Sequence, residues 1–228
     1  MKNDPFLFRR ESATELYLIR HGDAIPGPDE IIPSGVYDDL PLSREGREQA
    51  RKLAERLKNT RFDAAYSSPL RRCRETGEPL LRHLDLQPSI IDELKEIHIG
   101  DVVDILKVQE GDNRNALSQA LQRRQVETVR IAASSGNWDT IGSDESSKGF
   151  RKRVVDAVDS IVERHRGQRV IVFCHGGVIN AYAAEVLGLD KEFFFPTVNT
   201  SITIIRATTE RRVLYVLNDV AHLRMDQG

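Results

Sequence analysis

Regular structure begins, in the pattern of apolar and polar positions, at Glu15. ELYLI, residues 15–19, is apolar at nearly every position and too short for a helix, which predicts a strand covered on both faces. RVIVFC, residues 169–174, carries a second run of the same kind, and both runs stop at a histidine and a glycine, in IRHG and FCHGG. Between them the period lengthens. In LSREGREQARKLAERLKN, Ala50, Leu53, Ala54 and Leu57 share one helix face, with Ser43 placed to cap it. KGFRKRVVDAVDSIVERHRG gives a second stripe, Val154, Val155, Val158, Ile161 and Val162, ending near Gly167. RFDAAYSS reads as a short strand, PLRRCRETGEPLLRHL as a helix with Pro69 at its start, and QPSIIDEL as a strand running into a loop. After FCHGG come a helix, VINAYAAEVLG, a strand, TSITIIRAT, and an antiparallel last partner, RRVLYVLND. Strands alternating with helices predict a three-layer α/β/α sandwich around a mostly parallel central sheet.

The gaps in the pattern are as informative. Asp23 to Leu42 holds Pro26, Pro28, Pro33 and Pro41 with Gly27 and Gly35, a long loop of the kind that in compact domains is usually functional or disordered. Residues 101–149 carry helical stretches with little pattern to fix their packing, and read as an insertion over one end of the sheet, placed as a lid. Residues 1–14 read as an N-terminal extension, and 15–228 as one domain, since 228 residues at 39% hydrophobic composition suffice for one sizeable core.

Charge narrows the partners. The formal net charge is −2 and both signs are interspersed, so neither nucleic acid nor an anionic membrane is expected as the main partner. Cys73 and Cys174 have no CxxC companion and read as reduced, buried thiols of a cytoplasmic protein. MKNDPFLFRRESATE lacks the apolar core of a signal peptide, and no window reaches the length of a membrane span.

The chemistry gathers at strand ends, where open α/β sheets bind ligands. If the ends of the two buried runs are neighbours, Arg20, His21, His175 and the amides around Gly176 converge on one spot. Guanidinium, imidazole and N–H groups together suit a small, highly charged anion such as phosphate. SSPLRRCRET adds Arg71, Arg72 and Arg74, of which a helix aims at most one or two inward. DELKEIHIGD offers Asp92, Glu93 and Glu96 near His98. A carboxylate beside an anion pocket serves as an acid, because a nearby phosphate raises its pKa.

These pieces together resemble the histidine phosphatase superfamily, also called the phosphoglycerate mutase-like family, from Glu15 to about Asp219. The family's RHG falls on Arg20, His21 and Gly22; a pattern like SSxLxRAxET places its second arginine on Arg72, with Cys73 for the usual alanine. LxExxxG maps onto Leu94, Glu96 and Gly100, and SHGG onto His175, with Cys174 for the usual serine. GSDES looks like the family's GES, placing Glu145 and Ser146 near the pocket rim. The resemblance implies a phosphoglycerate mutase-like fold and a metal-independent phosphatase for small phosphorylated metabolites, with no cofactor. His21 is then the nucleophile, Glu96 the proton donor, and Arg20, Arg72, His175 and Gly176 hold the phosphoryl group.

The chain departs from the family in two places. Where many members read GDWEG, this one reads Gly100, Asp101, Val102, Val103, Asp104, so one wall of the site has changed. Mutases typically read RHGESxWN and this chain reads RHGDAIPG, which favours a phosphatase over a phosphoglycerate mutase-type transferase. A non-catalytic phospholigand binder is the third reading, disfavoured because both His21 and Glu96 are present. Arg71 and Arg74 read as solvated, His98 as structural or at the rim, and Trp138 as lid packing. His83, His165 and His222 read as surface residues. Asn199 and Ser201 begin a strand aimed at the site and stand behind it. The apolar last strand leaves a homodimer open.

Overall fold

The computed structural model describes residues 4–27, 29–30, 39–98 and 114–224. Both buried runs form strands at the middle of one six-stranded sheet, whose order is β3-β2-β4-β1-β5-β6. Strand β1 spans Thr14–Arg20, β2 Ala64–Ser67, β3 Pro88–Ile90, β4 Arg169–Cys174, β5 Ile202–Ala207 and β6 Arg212–Asp219. The β1–β4, β2–β4 and β2–β3 pairs are parallel, whereas β5 runs antiparallel to both β1 and β6. The register sets Arg20 opposite Cys174, so His21 and His175 leave the sheet side by side.

Helices cover both faces, which is why β1 and β4 carry apolar residues on both. Helices α1 (Arg44–Leu57) and α2 (Arg71–Leu84) pack on one face, with Leu53, Leu57, Leu80 and Leu81 against Ile19, Ile171 and Phe173. Helices α4 (Ser147–Arg164) and α5 (Gly176–Leu187) pack on the other, with Phe150, Val154, Val158 and Val178 against Leu16, Leu18, Val170 and Val172. Each of these buried side chains contributes about 2 kcal/mol of transfer free energy, so the layers hold the central strands tightly. Ser43 caps α1 by accepting from Gly46 N–H at 3.0 Å, and Ser146 caps α4 by accepting from Gly149 N–H at 3.1 Å.

Glu15, nearly buried, is held between Arg169 at 2.5 Å and Arg206 at 2.7 Å, binding three neighbouring strands across one face. Leu7 is buried, and the carbonyls of Leu7 and Phe8 accept from Arg206 at 3.1 and 2.9 Å, so this part of the N-terminal segment lies along β5.

Some details differ from the sequence reading. Helix α2 starts at Arg71 with Leu70 as its N-cap residue, two positions after Pro69. His222, read as a surface residue, is 2% exposed. It sits on the four-residue helix α6 (Ala221–Arg224) and meets Thr200 Oγ1 at 3.0 Å; so short a helix leaves no periodic signal. His165 bonds Tyr66 Oη at 2.8 Å and Gln168 Oε1 at 2.5 Å, while His83 is exposed. Of the insertion, residues 101–113 lie outside the described residues, as does Gly100. The rest forms helix α3 (Arg114–Ser135), with Ala132 fully buried, and a short 3-10 turn at Asp139–Ile141. Trp138 is 4% exposed and packs edge-on against Phe193. Among the described residues no helix is long and apolar enough to cross a membrane.

Candidate active site

The backbone at the end of β1 is fixed from three directions. His21 N–H donates to the Cys174 carbonyl at 3.0 Å, and the Thr200 N–H donates to the Arg20 carbonyl at 3.0 Å. Asn199 Nδ2 donates to the His21 carbonyl at 3.0 Å, and Gly22 N–H donates to Thr76 Oγ1 on α2 at 2.9 Å. Thr200 sits at a φ of 56°, a left-handed conformation that costs a β-branched residue energy. The strain is spent at the position that orients Arg20 and His21. Beyond Gly22, the loop is anchored on α1: a Cβ on Gly46 would lie 2.0 Å from the Asp23 carbonyl oxygen, so only glycine permits this approach.

His21 Nδ1 lies 2.7 Å from the Gly22 carbonyl oxygen, and Arg72 Nε donates to His21 Nε2 at 3.3 Å. Both contacts are satisfied by one tautomer, with the proton on Nδ1 and a lone pair on Nε2. Burial first, then Arg72 and Arg20, hold the imidazole well below its ordinary value and keep it neutral. His175 is fully buried, 5.2 Å from His21 between ring centroids and at a steep angle to it. Its Nε2 meets Ser68 Oγ at 2.8 Å, and burial, then Arg72, also depress its pKa.

Arg20 Nη1 donates to the Thr197 carbonyl at 2.5 Å, while its Nε is buried without a partner among the described residues. Arg72 faces His21, whereas Arg71 turns outward to Glu75 at 2.5 Å and Arg74 is exposed. Helix α5 opens at this point, with Gly176 and Gly177 in its first turn. Glu96 Oε2 accepts from Gly177 N–H at 3.0 Å and Oε1 from Ile97 N–H at 3.2 Å. Burial raises the Glu96 pKa; these amide bonds and Arg72 and Arg20 only partly offset it.

Glu145 lines no part of the pocket. It pairs with Arg153, whose Nη1 donates to the Glu93 and Lys95 carbonyls at 2.6 and 2.9 Å, so it braces the segment leading to Glu96. Ser146 caps α4. His98 meets Asp144 at 2.5 Å on the surface.

Two cavities share Arg20. One, about 250 Å³, is lined by Arg20, His21, Arg72, Arg124 and Asn199 among others. The second, about 400 Å³, lies on the Glu96 side and is walled by Ile97, Val129, Trp138, Phe193 and Pro196, with Gly176 and Thr197. Larger grooves of about 560 and 600 Å³ elsewhere contain none of these groups. Arg124, Gln125 and Thr128 come from α3, and sequence reasoning missed them because α3 is polar around most of its circumference. The adjacent Arg123 and Arg124 were the one available signal. Among the described residues no group of three or more His, Cys, Asp or Glu is arranged to hold a metal ion.

Known proteins resemble this chain in sequence and in fold. The metal-independent phosphoserine phosphatase of Arabidopsis thaliana is 28% identical over 213 residues, 92% of this chain and 83% of that protein. Phosphoglycerate mutase-like protein 4 of the same species is 26% identical over 212 residues, 92% of this chain and 86% of that protein. The solved structure of Bacillus stearothermophilus YhfR superposes with a TM-score of 0.68 at 26% identity, covering 92% of this chain and 100% of that one. A family model for the histidine phosphatase superfamily (branch 1) matches residues 16–220. Because that match runs from β1 through the end of β6, the chain belongs to the histidine phosphatase superfamily, branch 1.

Proposed function

We propose that the protein is a metal-independent phosphatase that hydrolyses small phosphomonoesters through a phosphohistidine on His21. The observation that carries this reading is the pair of contacts on the His21 ring: the Gly22 carbonyl accepts from Nδ1–H, and Arg72 Nε donates to the Nε2 lone pair. The Nε2 lone pair attacks phosphorus as the P–O bond to the leaving group breaks, and Glu96 gives its proton to the departing oxygen. Water then attacks phosphorus, Glu96 takes back a proton, the P–N bond breaks and inorganic phosphate leaves. Arg20, Arg72, His175 and the Gly176 amide hold the equatorial oxygens, supplying positive charge where it develops.

The two cavities suit a small substrate, with phosphate near His21 and Arg72 and the leaving alcohol on the Glu96 side. Phosphoserine heads the list of esters to try, since the Arabidopsis relative is named for it. The test is turnover of p-nitrophenyl phosphate in EDTA by wild type and His21→Ala, then of a panel including phosphoserine and 3-phosphoglycerate. Turnover lost in the variant supports the reading; an active His21→Ala protein, or a wild type inert on every ester, overturns it.

A further inference from the structure

We propose that Ser68 sets the tautomer of His175, placing the ring proton on Nδ1 so that an N–H donor, and not a lone pair, faces the phosphoryl group. This rests on the phosphoryl-transfer reading for its purpose, but not for its chemistry.

A neutral imidazole has one donor and one acceptor nitrogen, and each neighbour must be matched to one or the other. Nε2 of His175 lies 2.8 Å from Ser68 Oγ, and both residues are fully buried, so no solvent relieves a mismatch. Ser68 Oγ already accepts from Leu70 N–H at 3.3 Å. Its backbone groups are engaged separately, the N–H with the Phe173 carbonyl at 2.9 Å and the carbonyl with Ser67 Oγ at 2.8 Å. The Ser68 hydroxyl hydrogen therefore has Nε2 as its good acceptor among the described residues. Cys73 Sγ lies 3.4 Å from Nε2, but its S–H points at the Cys174 carbonyl at 3.3 Å, so the thiol does not compete to donate. Burial pushes that thiol up to about 12, which keeps it protonated and uncharged beside the ring.

The reverse assignment, with Nε2–H donating to Ser68, leaves the serine hydrogen only a sulfur to meet and leaves Nδ1, whose neighbour is the Cys73 sulfur at 3.8 Å, with a lone pair and no donor for it among the described residues. Both are unfavourable in a buried site. His21 and His175 thus hold the same Nδ1–H tautomer, each imposed by one neighbour: the Gly22 carbonyl, which accepts from His21 Nδ1–H, and the Ser68 hydroxyl, which donates to His175 Nε2. The nucleophile needs a bare nitrogen and the stabiliser needs a protonated one. Ser68 is a positioning residue, acting through His175 without touching substrate.

The experiment is a long-range 1H–15N imidazole spectrum of the uniformly labelled full chain, without ligand, for wild type, Ser68→Ala and Ser68→Thr, with kcat and KM measured in parallel. Wild type is expected to carry the His175 proton on Nδ1. Ser68→Ala is expected to move it to Nε2 or mix the two, and to lose about 100-fold in kcat, the cost of one misdirected oxyanion donor, with little change in KM. Ser68→Thr keeps a hydroxyl and is expected to restore both readouts. A His175 proton on Nε2 in wild type, or an unchanged tautomer in Ser68→Ala, overturns the proposal. The wild-type spectrum decides alone if a variant does not fold. A wild type that turns over no ester overturns the phosphatase reading and leaves the tautomer assignment to stand or fall on its spectrum.

Discussion

Glu96 and Gly177 meet through a 3.0 Å hydrogen bond from the Gly177 N–H to Glu96 Oε2, which seats the carboxyl on the first turn of α5. Two opposing influences meet there. The amide favours the carboxylate, and burial favours the acid more strongly, so the pKa is raised. Glu96→Gln should lower kcat by about 10²- to 10⁴-fold on alkyl phosphates, whose leaving group needs a proton, and by far less on p-nitrophenyl phosphate. Equal losses on both substrates would remove Glu96 from the proton-donor role.

The same contact leaves no room for a side chain on its partner. A Cβ on Gly177 would lie 2.3 Å from Glu96 Oε1 and 3.1 Å from Glu96 Cδ, so Gly177→Ala must push the carboxyl aside. A displacement of that order should cost about 10- to 100-fold in kcat, with the thermal midpoint little changed. Kinetics and a melting curve on one preparation separate the two effects.

His21 predicts an acid limit. Its pKa is lowered well below 6.5, chiefly by burial, so the ring stays neutral at pH values where an ordinary histidine is protonated. The acid limb of kcat/KM should therefore lie below pH 6.5. Acid quench during turnover of a 32P-labelled ester should trap labelled protein in wild type and none in His21→Ala.

His222 predicts how stability responds to acid. Burial, then Arg56, lower its pKa from 6.5 to about 4 in the fold, so the unfolded chain binds the proton first. The neutral ring's contribution is complete above pH 6.5 and is lost progressively as pH falls toward 4. That loss is on the order of 2 kcal/mol once solvent screening is allowed for. Urea midpoints for wild type and His222→Gln between pH 7 and pH 4.5 should converge on acidification, and parallel lines would refute the linkage.

The strands and the two histidines were legible because their signals are local: an apolar run that ends in His-Gly needs only its own residues to be recognised. Helix geometry limited the inward-facing arginines to one or two, and it was the resemblance to SSxLxRAxET that picked Arg72 from Arg71 and Arg74. Asn199 was placed behind the site from sequence, whereas the part of Thr200, which bonds the Arg20 carbonyl from nearly the far end of the chain, depends on β5 lying antiparallel beside β1. Arg124 belongs to a helix without a clear apolar face, and Glu145 works through Arg153, so neither announces its place in sequence. Gly46 reads as an ordinary helical glycine until the Asp23 carbonyl is found against it.

The register that sets Arg20 beside Cys174 also decides how this protein fails. Arg20, His21 and His175 lie at the ends of the two strands enclosed on both faces by the helix layers. Amides at the end of β1 are therefore expected to exchange with solvent only on opening of the sheet, which hydrogen exchange would check. Loss of turnover on heating and loss of the cooperative core become one event, and a partly unfolded chain with an intact catalytic centre has no place in its melting.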